Sequence, residues 1–201
     1  MRVPQAAVIL SLVGIGPQGD ALASRSKGAP AAPIVVYEMA DFQCPACRVF
    51  ALETMPAIER EYIRTGKVRW VFVNFPLTSV HPNAVAAAEV ALCAGRQGKF
   101  WEMHDALFLR QERWAQLGEP GPYLIALAES VGVARAALLH CAQTKATRPE
   151  VEADAQRALA SGARSTPTFY IEGGLLVGAA PADVFREVLD SLRRDKTTSP
   201  P

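Results

Sequence analysis

A Cys-X-X-Cys pair, Cys44-Pro45-Ala46-Cys47, stands just after the β-rich run Ile34-Val35-Val36-Tyr37-Glu38-Met39 and opens a helical pattern. A chain with this order must hand a strand over to a helix at residue 44, with two thiols one turn apart at the helix N-terminus. A helix start offers unpaired backbone N–H groups and roughly half a positive charge, and both favour thiolate over thiol. Cys44 therefore reads as a nucleophile. Pro45 suits the first helical position, where its missing N–H costs nothing, and it stiffens the turn that brings Cys47 back toward Cys44. Such a pair can close a small disulfide, or open it against the thiols or disulfides of another protein.

Two cysteines at this spacing are also metal ligands, but a structural zinc site needs two more. The remaining candidates, Cys93, Cys141, His81, His104 and His140, form neither a second CxxC nor an HxxxH. The strand-then-helix context favours the redox reading over a metal site.

Residues 1–23 read as a secretory signal peptide: Arg2 near the start, an apolar stretch from Ala6 to Gly16, then Ala21-Leu22-Ala23 as a cleavage site. The apolar stretch is well short of the roughly 20 residues of a membrane-spanning helix. A retained anchor is the alternative. Export would place all four cysteines in an extracytoplasmic compartment, where disulfides persist. The chain carries 21 basic and 20 acidic residues, a net charge of +1 that gives no sign of a nucleic-acid or anionic-membrane partner.

The Ser, Lys, Gly, Ala and Pro content of residues 24–33 predicts a flexible linker. Ala51, Met55, Ile58 and Tyr62 then mark one buried helix face, with a kink expected at Pro56 and an end at Gly66. Val68 to Phe75 is a nearly continuous β-branched and aromatic run, the pattern of a strand covered on both faces. Strand, helix and strand at this spacing make a parallel crossover. Residues 81–161 are rich in Ala, Leu, Glu and Arg, and their breaks suggest four or five short helices. Beyond Gly162 come strands at Thr168 to Ile171 and Leu175 to Val177, joined at Gly173-Gly174 as a hairpin. A last helix carries Phe185, Val188, Leu189 and Leu192 on one face, and residues 194–201 have the composition of a disordered tail. The expected class is α/β: a β-α-β half (residues 34–80) and a β-β-α half (residues 162–193) of a thioredoxin-like fold, separated by an all-helical insertion (residues 81–161).

Local stretches in this order carry a resemblance. They are Asp41-Phe42-Gln43-Cys44-Pro45-Ala46-Cys47, Phe75-Pro76-Leu77 with His81-Pro82-Asn83-Ala84, Gln97-Gly98-Lys99-Phe100-Trp101-Glu102-Met103-His104, and Ser165-Thr166-Pro167-Thr168-Phe169. The chain resembles the DsbA family of exported thioredoxin-fold oxidoreductases over nearly all of its mature length. The resemblance implies that Cys44 exchanges disulfides with protein substrates and that Cys47 resolves the mixed disulfide. It implies that Glu38 is a buried acid beneath the pair, suited by desolvation to proton exchange with Cys47. A solvated Glu38 at a sheet edge is the alternative. It further implies that Thr166-Pro167 is a cis-proline loop offering backbone hydrogen bonds to substrate.

Two departures bear on direction. Ala46 stands where the DsbA type member has histidine, which points to a milder oxidant, and Thr166 stands where that protein has valine. Cys93 and Cys141 lie on separate helices among apolar neighbours, and export favours a second disulfide over two free buried thiols. His104 reads as a packing or surface residue. Phe100, Trp101, Phe108 and Trp114 read as the insertion's core or a groove rim.

The function expected is an exported thiol-disulfide oxidoreductase that needs no prosthetic group. With no dimerisation domain ahead of the fold, a monomeric dithiol oxidase recharged by a quinone-linked membrane partner is favoured. An isomerase or reductase of the same fold, and a non-catalytic binding or chaperone module with a structural disulfide, are the alternatives.

Overall fold

The computed structural model describes residues 22–198. The expected signal peptide lies outside the described residues except for Leu22 and Ala23. One sheet is built from β1 (Ser26–Lys27), β2 (Ile34–Ala40), β3 (Val68–Asn74), β4 (Thr168–Ile171) and β5 (Gly174–Val177) in the order β1-β3-β2-β4-β5. β2 and β3 are parallel, with Glu38 opposite Phe72, while the other three pairings are antiparallel. The long connection from β2 to β3 is a helical run, α1, which begins as Pro45–Val49 and continues through Phe50–Thr54, Met55–Ile58 and Glu59–Ile63.

Strand alternation divides the core into two faces. Ile34 and Val36 of β2, Trp70 of β3 and Phe169 of β4 pack under Phe50 and Ile58 of α1 and under Phe185 and Leu189 of the last helix, α8 (Ala182–Thr198). The rings of Phe50 and Phe169 lie 4.6 Å apart and those of Phe169 and Phe185 4.9 Å apart, and such aromatic pairs each contribute about 0.5–1.5 kcal/mol beyond burial. On the opposite face Met39, Val71 and Val73 meet Ala158.

The helical segment holds six helices among the described residues: α2 (Ala84–Gly95), α3 (Phe100–Leu109), α4 (Gln111–Trp114), α5 (Gly121–Ser130), α6 (Arg135–Gln143) and α7 (Arg148–Ala160). The break between α3 and α4 falls at Arg110, with no glycine or proline to announce it in the sequence. Phe100, Phe108 and Trp114 are buried in this segment's core, which is continuous with Phe42 and Phe72 of the sheet region.

Four local expectations are corrected. Residues 24–33 are not a free linker: Ser26 and Lys27 pair with Val71 and Trp70, and the Arg25 carbonyl accepts the Phe72 N–H at 3.0 Å. Arg25 is 1 % exposed, its guanidinium bound to Asp154 of α7. Around Pro56 the helix contains two π-helical turns, Phe50–Thr54 and Glu59–Ile63, and Met55 N–H donates to the Phe50 carbonyl. The wider register reroutes bonding next to a residue that has no N–H to give.

The hairpin turn is Glu172-Gly173, both at positive φ, while Gly174 already pairs with Ile171; a two-residue turn matching the strand twist requires that backbone at both positions. Finally, α8 runs through Thr198 where a disordered tail was expected from residue 194; residues 199–201 of that expected tail lie outside the described residues. Lys196 anchors it through Nζ to Glu172 at 3.0 Å and to the Pro33 carbonyl at 2.5 Å.

Candidate active site

Cys44 caps α1 in an extended conformation (φ −71°, ψ 123°), and Pro45 occupies the first helical turn. Both cysteines are free thiols here. Cys44 keeps 7 % of its surface and Cys47 0 %, so Cys44 is the more accessible of two buried residues. The covering side is the loop before β4: the Cys44 Sγ lies 3.4 Å from the Thr166 carbonyl, and the Thr166–Pro167 bond is cis.

Electrostatics separate the two thiols. The Cys44 thiol is lowered from 9.0 to about 6, chiefly by the hydrogen bond from the Cys47 side chain, against the opposing effect of burial. The backbone N–H groups of Cys47 and Ala46 add to the lowering. The two N–H groups are those that a helix start leaves unpaired. Burial, followed by the interaction with Cys44, pushes Cys47 well above the ordinary thiol range. One sulfur is thus set to attack at neutral pH, and the other to hold its proton.

Glu38 lies on the β2 face covered by α1 and is buried, not solvated at an edge. Trp70 Nε1 donates to its Oε2 at 2.7 Å, while Oε1 has no partner among the described residues. Desolvation raises its carboxyl to about 7, partly offset by the Trp70 hydrogen bond and by Lys27. Cys93 and Cys141 are joined in a disulfide between α2 and α6, with Cα atoms 5.9 Å apart. His104 is a buried packing residue, edge-on to Phe42, Phe72 and Phe108.

A family model described as Thioredoxin matches residues 21–191. The probable disulfide bond formation protein D of Bacillus cereus is 30% identical over 156 residues, 75% of this chain and 71% of that protein. The chain belongs to the thioredoxin family, within its DsbA-like group. The solved structure of oxidised BdbD from Bacillus subtilis superposes on this DsbA-like chain with a TM-score of 0.77 at 25% identity, covering 85% of this chain and 92% of that one. Alpha-DsbA1 of Wolbachia pipientis shares the fold, with a TM-score of 0.76 at 24% identity over 85% of this chain and 91% of its own. Na(+)/H(+) antiporter NhaA 3 of Salinispora tropica is 32% identical over 83% of this chain but only 24% of its own length, so the chain spans about a quarter of such relatives.

Several residues around this DsbA-like site were not foreseen. Trp70 was read only as part of a strand, and nothing local marks it as the partner of an acid. Asp41 accepts from the N–H groups of Gln43 (2.7 Å) and Leu77 (2.8 Å) and lies 2.8 Å from His81 Nδ1, so it ties the loop before Cys44 to the loop after β3. Its place in the motif Asp41-Phe42-Gln43-Cys44 was the available signal.

Proposed function

We propose that this chain is an extracytoplasmic dithiol oxidase for protein substrates, recharged by a disulfide-bearing membrane partner and working as a monomer. In the oxidised form a substrate thiolate attacks Sγ of Cys44. The Cys44–Cys47 bond breaks, a mixed disulfide forms at Cys44, and Cys47 leaves as a thiolate. That thiolate takes a proton, for which protonated Glu38 is the donor in this reading. A second substrate thiolate then attacks the substrate sulfur of the mixed disulfide and expels Cys44 as a thiolate. The substrate loses two electrons and the enzyme gains them; the partner's disulfide takes them back.

The observation that carries the direction is the Cys44 thiol at about 6. A good leaving thiolate stabilises the reduced enzyme and makes the oxidised one a stronger oxidant. About 6 falls between the handful of reference values for such pairs, about 7 in thioredoxin and about 3.5 in DsbA, which fits the milder oxidant expected from Ala46. The Thr166-Pro167 loop, whose Thr166 carbonyl lies 3.4 Å from the Cys44 sulfur, is the segment that holds an extended substrate in this proposal.

The test is equilibration of the Cys44–Cys47 pair across a glutathione series, with thiol trapping. A midpoint clearly above thioredoxin's about −270 mV supports an oxidase. A midpoint at or below that value supports a reductase, and a pair that resists reduction below about −300 mV supports a structural staple. Mixed-disulfide trapping with Cys47→Ser then identifies the substrates.

A further inference from the structure

The peptide that carries Cys44 is held from the side by groups that take no part in the exchange chemistry. Gln111, at the first position of α4, is 4 % exposed, and its Nε2 donates to two carbonyls of the loop, Phe42 at 2.7 Å and Cys44 at 3.0 Å. These carbonyls flank Gln43, whose own side chain reaches the opposite way. Gln43 Nε2 donates to the Ala115 carbonyl just beyond α4 at 2.7 Å, and its Oε1 accepts the Asn83 N–H just before α2 at 2.7 Å. Asn83 completes the frame by donating to the carbonyls of Ala115 (3.2 Å) and Leu117 (2.8 Å). Each glutamine therefore grips the backbone of the other's element, and both are buried where an unmade amide hydrogen bond costs about 1–3 kcal/mol.

We infer that Gln111 and Gln43 form a reciprocal clamp by which the helical insertion fixes the backbone of Cys44 and so sets the reactivity of its thiol. The inference deepens the proposed function, because it treats Cys44 as the reacting sulfur. The physical link is geometric. The donors that stabilise the Cys44 thiolate include the Ala46 and Cys47 N–H groups, and their aim depends on the orientation of the Cys44–Pro45 peptide. The Cys44 carbonyl of that peptide receives the Arg48 N–H at 3.2 Å from within the helix and Gln111 from outside it. Without Gln111, only the helix's own longer bond orients it. Gln111 is thus a positioning residue, acting on sulfur through the backbone.

The charged and titratable groups nearest Cys44 on the elements packed around it include Cys47 and Arg48 on α1, Glu38 on β2, the Asp41–His81 pair, Arg164 in the loop before β4, and Arg113 and Glu112 on α4, the last paired with Arg48 at 3.3 Å. Gln111→Met and Gln43→Met leave all of these charges in place, so a change in thiol acidity reports geometry.

The experiment is the pH dependence of iodoacetamide alkylation at Cys44 in the reduced chain, with the labelled residue identified by mass spectrometry. Wild type, Gln111→Met, Gln43→Met and the distant destabilised control Arg25→Met are compared. The expected result is a midpoint raised by about one pH unit in each glutamine variant, an about tenfold slower reaction on the acidic side, and an unchanged midpoint in the control. Folded glutamine variants that keep the wild-type midpoint overturn the clamp, as does an equal shift in Arg25→Met, which would make the effect one of general stability. Should Gln111→Met fail to fold, Gln43→Met and the shorter Gln111→Asn decide the same question. A wild-type midpoint in the ordinary thiol range would instead count against the proposed function, so the two failures are distinguishable.

Discussion

Glu38 and Trp70, on adjacent parallel strands, share a buried hydrogen bond of 2.7 Å from the indole Nε1 to Oε2. The bond fixes the carboxyl's orientation and occupies one oxygen, leaving Oε1 to carry a proton.

This placement has a pH signature. The carboxyl sits at about 7 in the fold against 4.5 ordinarily, so between these values the native state binds more protons than the unfolded state. Stability must then fall as pH rises through that window and level off above it, by on the order of 3 kcal/mol from this group. Urea unfolding of the oxidised protein, in which Cys44 is disulfide-bonded and adds no opposing titration, should show the loss between pH 5 and pH 8 in wild type and its disappearance in Glu38→Gln. An unaltered pH dependence in the variant would remove Glu38 from the account.

Thiolate stabilisation at Cys44 comes first from the Cys47 side chain, with the backbone N–H groups of Cys47 and Ala46 behind it, while Thr166 Oγ1 has no hydrogen-bond partner among the described residues. Cys47→Ala should therefore raise the Cys44 alkylation midpoint more than Thr166→Val does. The reverse order would show that the loop, rather than the partner thiol, dominates.

The buried pair of Arg25 and Asp154 links the chain's first described turn to α7, and Asp154 also accepts from Asn74 and Arg157. Arg25→Met leaves that carboxylate short of its main counter-charge in a dry site, at an expected cost of about 3–5 kcal/mol in chemical denaturation. Pairing it with Asp154→Leu should recover part of the loss, because the uncompensated charge is then gone.

These residues mark where sequence reading ends. The strand-to-helix handover at Cys44, the apolar face of α8 and the parallel β2–β3 pair follow from local periodicity, and local periodicity was enough to find them. Arg25 sits in a stretch whose composition resembles a linker, and it is buried only because Asp154 waits 129 residues away. Gln43 and Gln111 are ordinary polar residues until the fold sets each against the other's backbone. Pro56 announced a disturbance but not its form, since a kink and a π-helical turn both answer the same missing N–H. The burial of Cys44 likewise comes from the Thr166 loop, far along the chain.

The Cys93–Cys141 disulfide spans 48 residues, and closing a loop of that length stabilises the fold by about 4 kcal/mol in the chain-entropy picture. Cys93→Ala with Cys141→Ala should lower the unfolding free energy by up to that amount. A loss well under 1 kcal/mol would show that the helix packing alone holds α2 to α6.

The whole account turns on the acidity of one sulfur, and the pH profile of iodoacetamide labelling in the reduced wild-type chain reads it directly. Half-maximal reactivity near pH 6, with the label on Cys44 and Cys47 left unmodified, is the expected outcome. A midpoint in the range of an ordinary thiol, or a Cys44 that iodoacetamide does not reach, would contradict it.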